Sequence, residues 1–159
     1  MNNGSQVVVK VPHLIIGELP PRLRKRARDY FAYGTEFLPL PAGGTLTNSI
    51  NIESDSDFAI VSAVGVVTSV NNLTLVAFPA IMADMRDTGS GRVLSNIPMH
   101  FTSVFGDAQN PFIFWRAGYL KRLRASGTFQ VTLQNLDPGN AVNVRLTFHG
   151  FKVYDFPEE

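Results

Sequence analysis

The 159-residue chain contains no cysteine. That excludes a disulfide framework, thiol catalysis and every thiolate metal site. Apolar runs long enough to cross a bilayer are also lacking. Ala59–Val67 and Leu73–Met82 are too short, and polar residues interrupt them. The opening MNNGSQVVVKVPHLIIG has no cationic leader and carries Lys10 inside its apolar stretch, so it does not read as a secretory signal. A soluble protein is therefore expected. An excess of either charge is nearly absent: the net charge of +1 is too small to point to nucleic acid or membrane by itself. There is no internal repeat of fixed period, no Gly-x-Ser-x-Gly elbow, and no glycine-rich phosphate loop followed by Lys and a helix.

What is present suits one compact domain. Hydrophobic residues make up 45% of the chain and charged residues 17%, ordinary values for a globular protein. At this length, folding removes roughly two-thirds of the unfolded chain's surface from water. The charges are unevenly spread. Residues 1–36 hold six positive and three negative groups, whereas residues 155–159 hold three negative groups and none positive. A nearly neutral body thus lies between a basic arm and an acidic tail.

Within the arm, Val7–Ile16 is rich in β-branched residues and reads as an extended segment, ended by Gly17 and Pro20–Pro21. Next comes PRLRKRARDYFAYG, where Leu23, Ala27, Tyr30 and Phe31 recur at helical spacing. With Pro21 at a first turn and Gly34 at a C-terminal stop, this predicts a short amphipathic basic helix. The boundary is placed after residue 36, with the arm at 1–36 and the main domain at 37–159.

From about residue 45 the period changes to two. Phe129, Val131 and Leu133 alternate with polar neighbours, and Val142, Val144, Leu146 and Phe148 do the same. Such alternation describes antiparallel strands with one buried and one wet face. Further strands are expected at Thr45–Ile52, Phe58–Thr68, Leu73–Asp84, Gly91–Ser95, Met99–Val104 and Tyr119–Arg124. The last strand continues to Tyr154 past a kink or bulge at Gly150. Turn-rich segments at 53–57, 70–72, 87–91, 106–111 and 135–140 separate them. The expected fold is all-β, an antiparallel β-sandwich of jelly-roll type with an N-terminal extended arm and a short basic helix.

Chemical motifs are few. Asp87–Thr88–Gly89–Ser90 resembles the signature of aspartic proteases, in which two aspartates share a proton across a dimer. Arg86 precedes it, however, and would favour an ionised carboxylate on both subunits; the same residues also make a good turn. His13, His100 and His149 are far apart and show no paired metal spacing. Glu53, Asp55 and Asp57 could reach one calcium ion, but the glycine and distal glutamate of a helix–loop–helix site are missing, which leaves a solvated turn. Arg116, Lys121, Arg122 and Arg124 are interleaved with Phe114, Trp115 and Tyr119. This looks superficially like a base-stacking surface, but nucleic-acid domains usually carry a larger basic excess. Arginine and aromatic residues are equally the types enriched at protein–protein contacts.

The segment Phe105–Gly106–Asp107–Ala108–Gln109–Asn110–Pro111–Phe112, the basic strand Tyr119–Arg124 and the terminal Leu146-x-Phe148-x-Gly150-x-Lys152 resemble small jelly-roll structural proteins of tailed-bacteriophage virions. These are capsid decoration, cement or minor capsid proteins. The resemblance implies a noncatalytic, homo-oligomeric binder of the major capsid protein, assembled in the host cytoplasm and located in the virion, with no cofactor and no metal. Membrane and nucleic acid are not expected as partners. Six of the 12 phenylalanines (Phe31, Phe37, Phe78, Phe112, Phe114 and Phe156) fall outside the alternating core positions. A thin two-layer core is expected to leave them for contact with other chains. The expected interface comprises Val9, Leu14, Ile15, Arg22, Arg24 and Arg26 of the arm, with Phe112, Trp115, Arg116 and Tyr119. The alternatives are a phage tail, collar or receptor-contacting module, and a dimeric aspartic protease using Asp87.

Overall fold

A computed structural model describes residues 27–106, 112–113 and 121–154. The described residues form ten strands: β1 (Ala27–Leu40), β2 (Thr45–Asn51), β3 (Asp57–Ser69), β4 (Ile81–Asp87), β5 (Arg92–Val93), β6 (Met99–His100), β7 (Phe112–Ile113), β8 (Lys121–Leu123), β9 (Thr128–Asn135) and β10 (Val142–Val153). One short helix, α1 (Phe101–Phe105), sits between β6 and β7. All pairings are antiparallel.

The pairing is nested. β1 pairs β10, β2 pairs β9, β3 pairs β7 and β8, and β4 pairs β5 and β6. The chain therefore behaves as one long folded-over ribbon wrapped into two sheets, β1-β10-β3-β7/β8 and β2-β9-β4-β5/β6. That is the jelly-roll order, and the expected all-β sandwich is what the structure has.

Alternation explains the core. Phe148 of β10 meets Phe129 of β9 edge-on, with centroids 5.2 Å apart and planes at 90°, and meets Phe105 of α1 at 6.0 Å. Around them pack Ile60, Ala63 and Val67 from β3 and Ile81, Ala83 and Met85 from β4. The helix fills one side of this core with Phe101, Val104 and Phe105. Gly65 of β3 makes room for it, because a Cβ there would lie 2.4 Å from the Phe101 ring. Asn135, 2% exposed, ties two loops together: its side-chain amide donates to the carbonyls of Pro41 and Asn140, and its Oδ1 accepts from the Asp137 amide.

Three local expectations are corrected. Residues Ala27–Gly34, expected in the basic helix, are strand, so the 36/37 boundary falls inside β1; the Pro21–Arg26 part of that helix lies outside the described residues. In Tyr30–Phe37 the helical spacing coincides with a two-residue alternation of aromatic and β-branched residues. The free backbone of β10 rewards the extended form, with Tyr30 to Phe37 paired to Phe151 to Val144 in unbroken register. Residues 73–80, expected to begin a strand, form a loop with only one bridge, Leu75 to Thr68. There Asn72 Oδ1 accepts from the Thr74 amide and hydroxyl, and Pro79 interrupts the run. Finally, Phe101–Val104 is helix rather than strand, because Phe101, Val104 and Phe105 at i, i+3 and i+4 all turn to the core.

The irregularity expected at Gly150 is present. His149 pairs Ser62 and Gly150 pairs Ile60, which leaves Val61 as an extra residue on β3. A Cβ at Gly150 would lie 2.0 Å from the Ala59 carbonyl oxygen. Gly150→Ala should therefore cost about 3 kcal/mol, the upper end of overpacking, and Phe148→Ala about 3–5 kcal/mol. The exposed Phe78→Ala should stay within about 0.5 kcal/mol. Urea unfolding of the three variants checks the order; equal midpoints for Phe148→Ala and Phe78→Ala would remove the core assignment.

Candidate functional site

The two ends of the sandwich differ in chemistry. At one end β1 begins, β10 finishes and β3 begins. Here Lys152, only 8% exposed, is bonded to Glu53 and lies 3.3 Å from Asp55, with its ammonium 4.7 Å from the Phe31 ring centroid. Arg122 pairs Asp57 at 2.6 Å. Tyr154 donates to Asp29 at 2.7 Å, and that carboxylate pushes the phenol pKa up. The Glu53 and Asp55 hydrogen bonds raise the Lys152 pKa above its ordinary value, so the ammonium stays charged across the neutral range. Asp55 is lowered, first by the Ser56 hydroxyl and then by Lys152. The acidic loop is therefore not merely solvated: Lys152 and Arg122 of the same chain pair with its carboxylates. Among the described residues there is no group of three metal-ligating side chains.

The Asp87 turn lies at this same end, paired opposite Phe129. Asp87 is 3% exposed; its Oδ1 accepts from the amides of Gly89 and Ser90, and its Oδ2 from the Ser90 hydroxyl at 2.6 Å. Both oxygens serve the loop's own donors, which is turn chemistry. His100 lies beside the Thr102 hydroxyl at 3.0 Å. His149 stacks on Tyr30, whose hydroxyl bonds its Nδ1, and burial depresses its pKa.

The opposite end is apolar. The 70–80 connection and the residue after β9 expose Val70, Leu73, Leu75, Phe78 and Leu136, with Phe78 88% exposed. The Leu136 amide bonds the Ala80 carbonyl, which brings these two loops together. Sequence reasoning singled out Phe78 for contact with other chains but missed the rest of this surface, because it placed residues 73–80 in a strand. The signal for it was Pro79 after Phe78, together with Asn71–Asn72.

Of the expected interface residues, Val9, Leu14, Ile15, Arg22, Arg24, Arg26, Trp115, Arg116 and Tyr119 lie outside the described residues. Phe112 lies in β7, where its backbone pairs Ala63. Ile113 pairs Ser62 and Lys121 pairs Ile60. Of the six phenylalanines expected outside the core, the side chains of Phe31, Phe37 and Phe78 are described. Phe37 is 2% exposed and Phe31 packs against the core; of the expected set, Phe78 is the one described as open to solvent.

No family model, curated protein or solved structure matches this chain.

Two acid steps are expected in stability. The folded His149 pKa lies below its ordinary value, so the folded chain binds fewer protons and stability falls as pH drops through about 6.5. Asp55 and Asp137 are also lowered, Asp137 first by the Asn140 side-chain amide; their contribution is present above their ordinary value and lost as pH falls below about 4. Thermal melts from pH 8 to 2.5 should show both losses, and His149→Gln should abolish only the upper one.

Proposed function

We propose that this protein is a noncatalytic structural component of a virion that binds and stabilises the capsid surface as a homo-oligomer. The observation that carries the reading is the exposed apolar end. Val70, Leu73, Leu75, Phe78 and Leu136 gather on two bonded loops, whereas a monomer in water gains nothing from leaving such side chains uncovered. The jelly roll supports it as an architecture found in shell proteins, although lectins use it too. The likeness of Leu146-x-Phe148-x-Gly150-x-Lys152 to small phage virion proteins points the same way. The ion-paired carboxylates and the self-bonded Asp87 leave the described polar clusters occupied with structural work.

Shell binding then takes place through many equal, individually weak contacts, and the oligomer multiplies them by about 10²- to 10⁴-fold in apparent affinity. The apolar end and the Trp115–Arg116 segment are the assigned contact regions. Leu75→Ser with Phe78→Ser, and separately Trp115→Ala with Arg116→Ala, should each weaken co-sedimentation with emptied capsids by about tenfold or more, while the melting temperature stays within a few degrees. Unchanged binding by both double variants would overturn the reading. Microscopy of purified particles separates a capsid position from a tail, collar or receptor-contacting one.

A further inference from the structure

The open flank of β1 carries a second kind of surface. β1 is the terminal strand of its sheet and pairs only with β10 among the described residues. Asn48 of β2 donates to the Glu36 carbonyl at 2.6 Å, so Glu36 points its backbone away from β10. Register is unbroken from Asp29 to Phe37. By alternation, Tyr30, Ala32 and Gly34 also point their amides and carbonyls outward. No described residue bonds these backbone groups, and Tyr30, Ala32 and Gly34 are all exposed.

Edge strands are normally blunted by charge, proline or a bulge. Tyr30–Thr35 has none of these, and Asn48 closes the edge only from Glu36 onward. Twenty-six residues precede β1, and among them Val7–Ile16 is the β-branched run whose composition suits an added strand. The link between run and edge favours reach over return. Arg22, Arg24, Lys25 and Arg26 put four like charges in the link, and a link of like charges repels itself and extends. Residues 17–26 can span about 33–36 Å.

We propose that the Tyr30–Gly34 edge of β1 takes up the Val7–Ile16 run of a second copy as an additional antiparallel or parallel strand. Main-chain bonds to Tyr30, Ala32 and Gly34 hold it, and its alternate side chains lie beside Tyr30, which is half exposed. The inference rests on the homo-oligomeric part of the function proposed above and names the contact that makes the oligomer.

Three full-length proteins test it: wild type, Val9→Pro in the arm, and Ala32→Pro on the edge. Proline at residue 32 removes only an outward amide, so the β1–β10 ladder stays intact. Mass in solution and amide hydrogen exchange are measured together. The expected result is a wild-type oligomer with Tyr30, Ala32 and Gly34 amides protected. Both variants should be monomers with Tyr30 and Gly34 in fast exchange, while Phe31 and Tyr33 stay protected by β10. Fast exchange at Tyr30 and Gly34 in the wild-type oligomer overturns the proposal, as does an oligomer that survives both substitutions. A wild-type monomer with a protected edge also overturns it, since its own arm would then be folded back. These readouts contain no capsid, so failure here is distinct from failure of shell binding.

Discussion

The contact of Phe148 with Phe129 and Phe105 is the point on which the structure turns. It is the place where the first sheet, the second sheet and the helix meet. Phe148 can occupy it because β10 lies between β1 and β3, held by ladders on both flanks. The helix can reach it because Gly65 leaves space for Phe101. Each of these conditions involves residues far apart in the chain. Such nested, non-local pairing closes long loops before it is rewarded, which makes jelly rolls slow to fold compared with helical proteins of the same size.

From that centre outward the molecule is chemically polarised. One end collects Glu53, Asp55, Asp57, Asp29, Lys152, Arg122 and the Asp87 turn, each satisfied within the chain. The other end collects exposed leucine, valine and phenylalanine. A self-satisfied ionic end needs no partner, whereas an apolar end lowers its free energy by meeting one. The open edge of β1 runs between the two, offering hydrogen bonds rather than apolar area. In the proposed assembly the two are complementary: directional bonding along one side would set register and apolar contact at one end would supply the driving force.

Where sequence reasoning failed, it did so for physical reasons visible in particular residues. Tyr30, Phe31, Tyr33 and Phe37 satisfy a helical and an extended pattern at once, and only the unpaired flank of β10 decides between them. Phe101, Val104 and Phe105 had helical spacing in plain view, but Met99 and His100 before them are strand, and the switch occurs where the core has a space to fill. Leu73 and Leu75 look like core residues by type. They are exposed in a loop whose backbone at 73–76 still bonds Val67 and Ser69 of β3.

The order of residues alone determined the period-two strands, the turns at Asp87 and at Asn135–Asn140, the kink at Gly150 and hence the sandwich class, because these follow from alternation and local hydrogen bonding between near neighbours. Tertiary structure alone decided that β1 is a strand, that Lys152 and Arg122 pair with the acidic loop, and that among the described residues nothing pairs the outer edge of β1. Those outcomes depend on which distant groups arrive at the same place, and no local pattern encodes the distance between Glu53 and Lys152 or the free flank of Ala32.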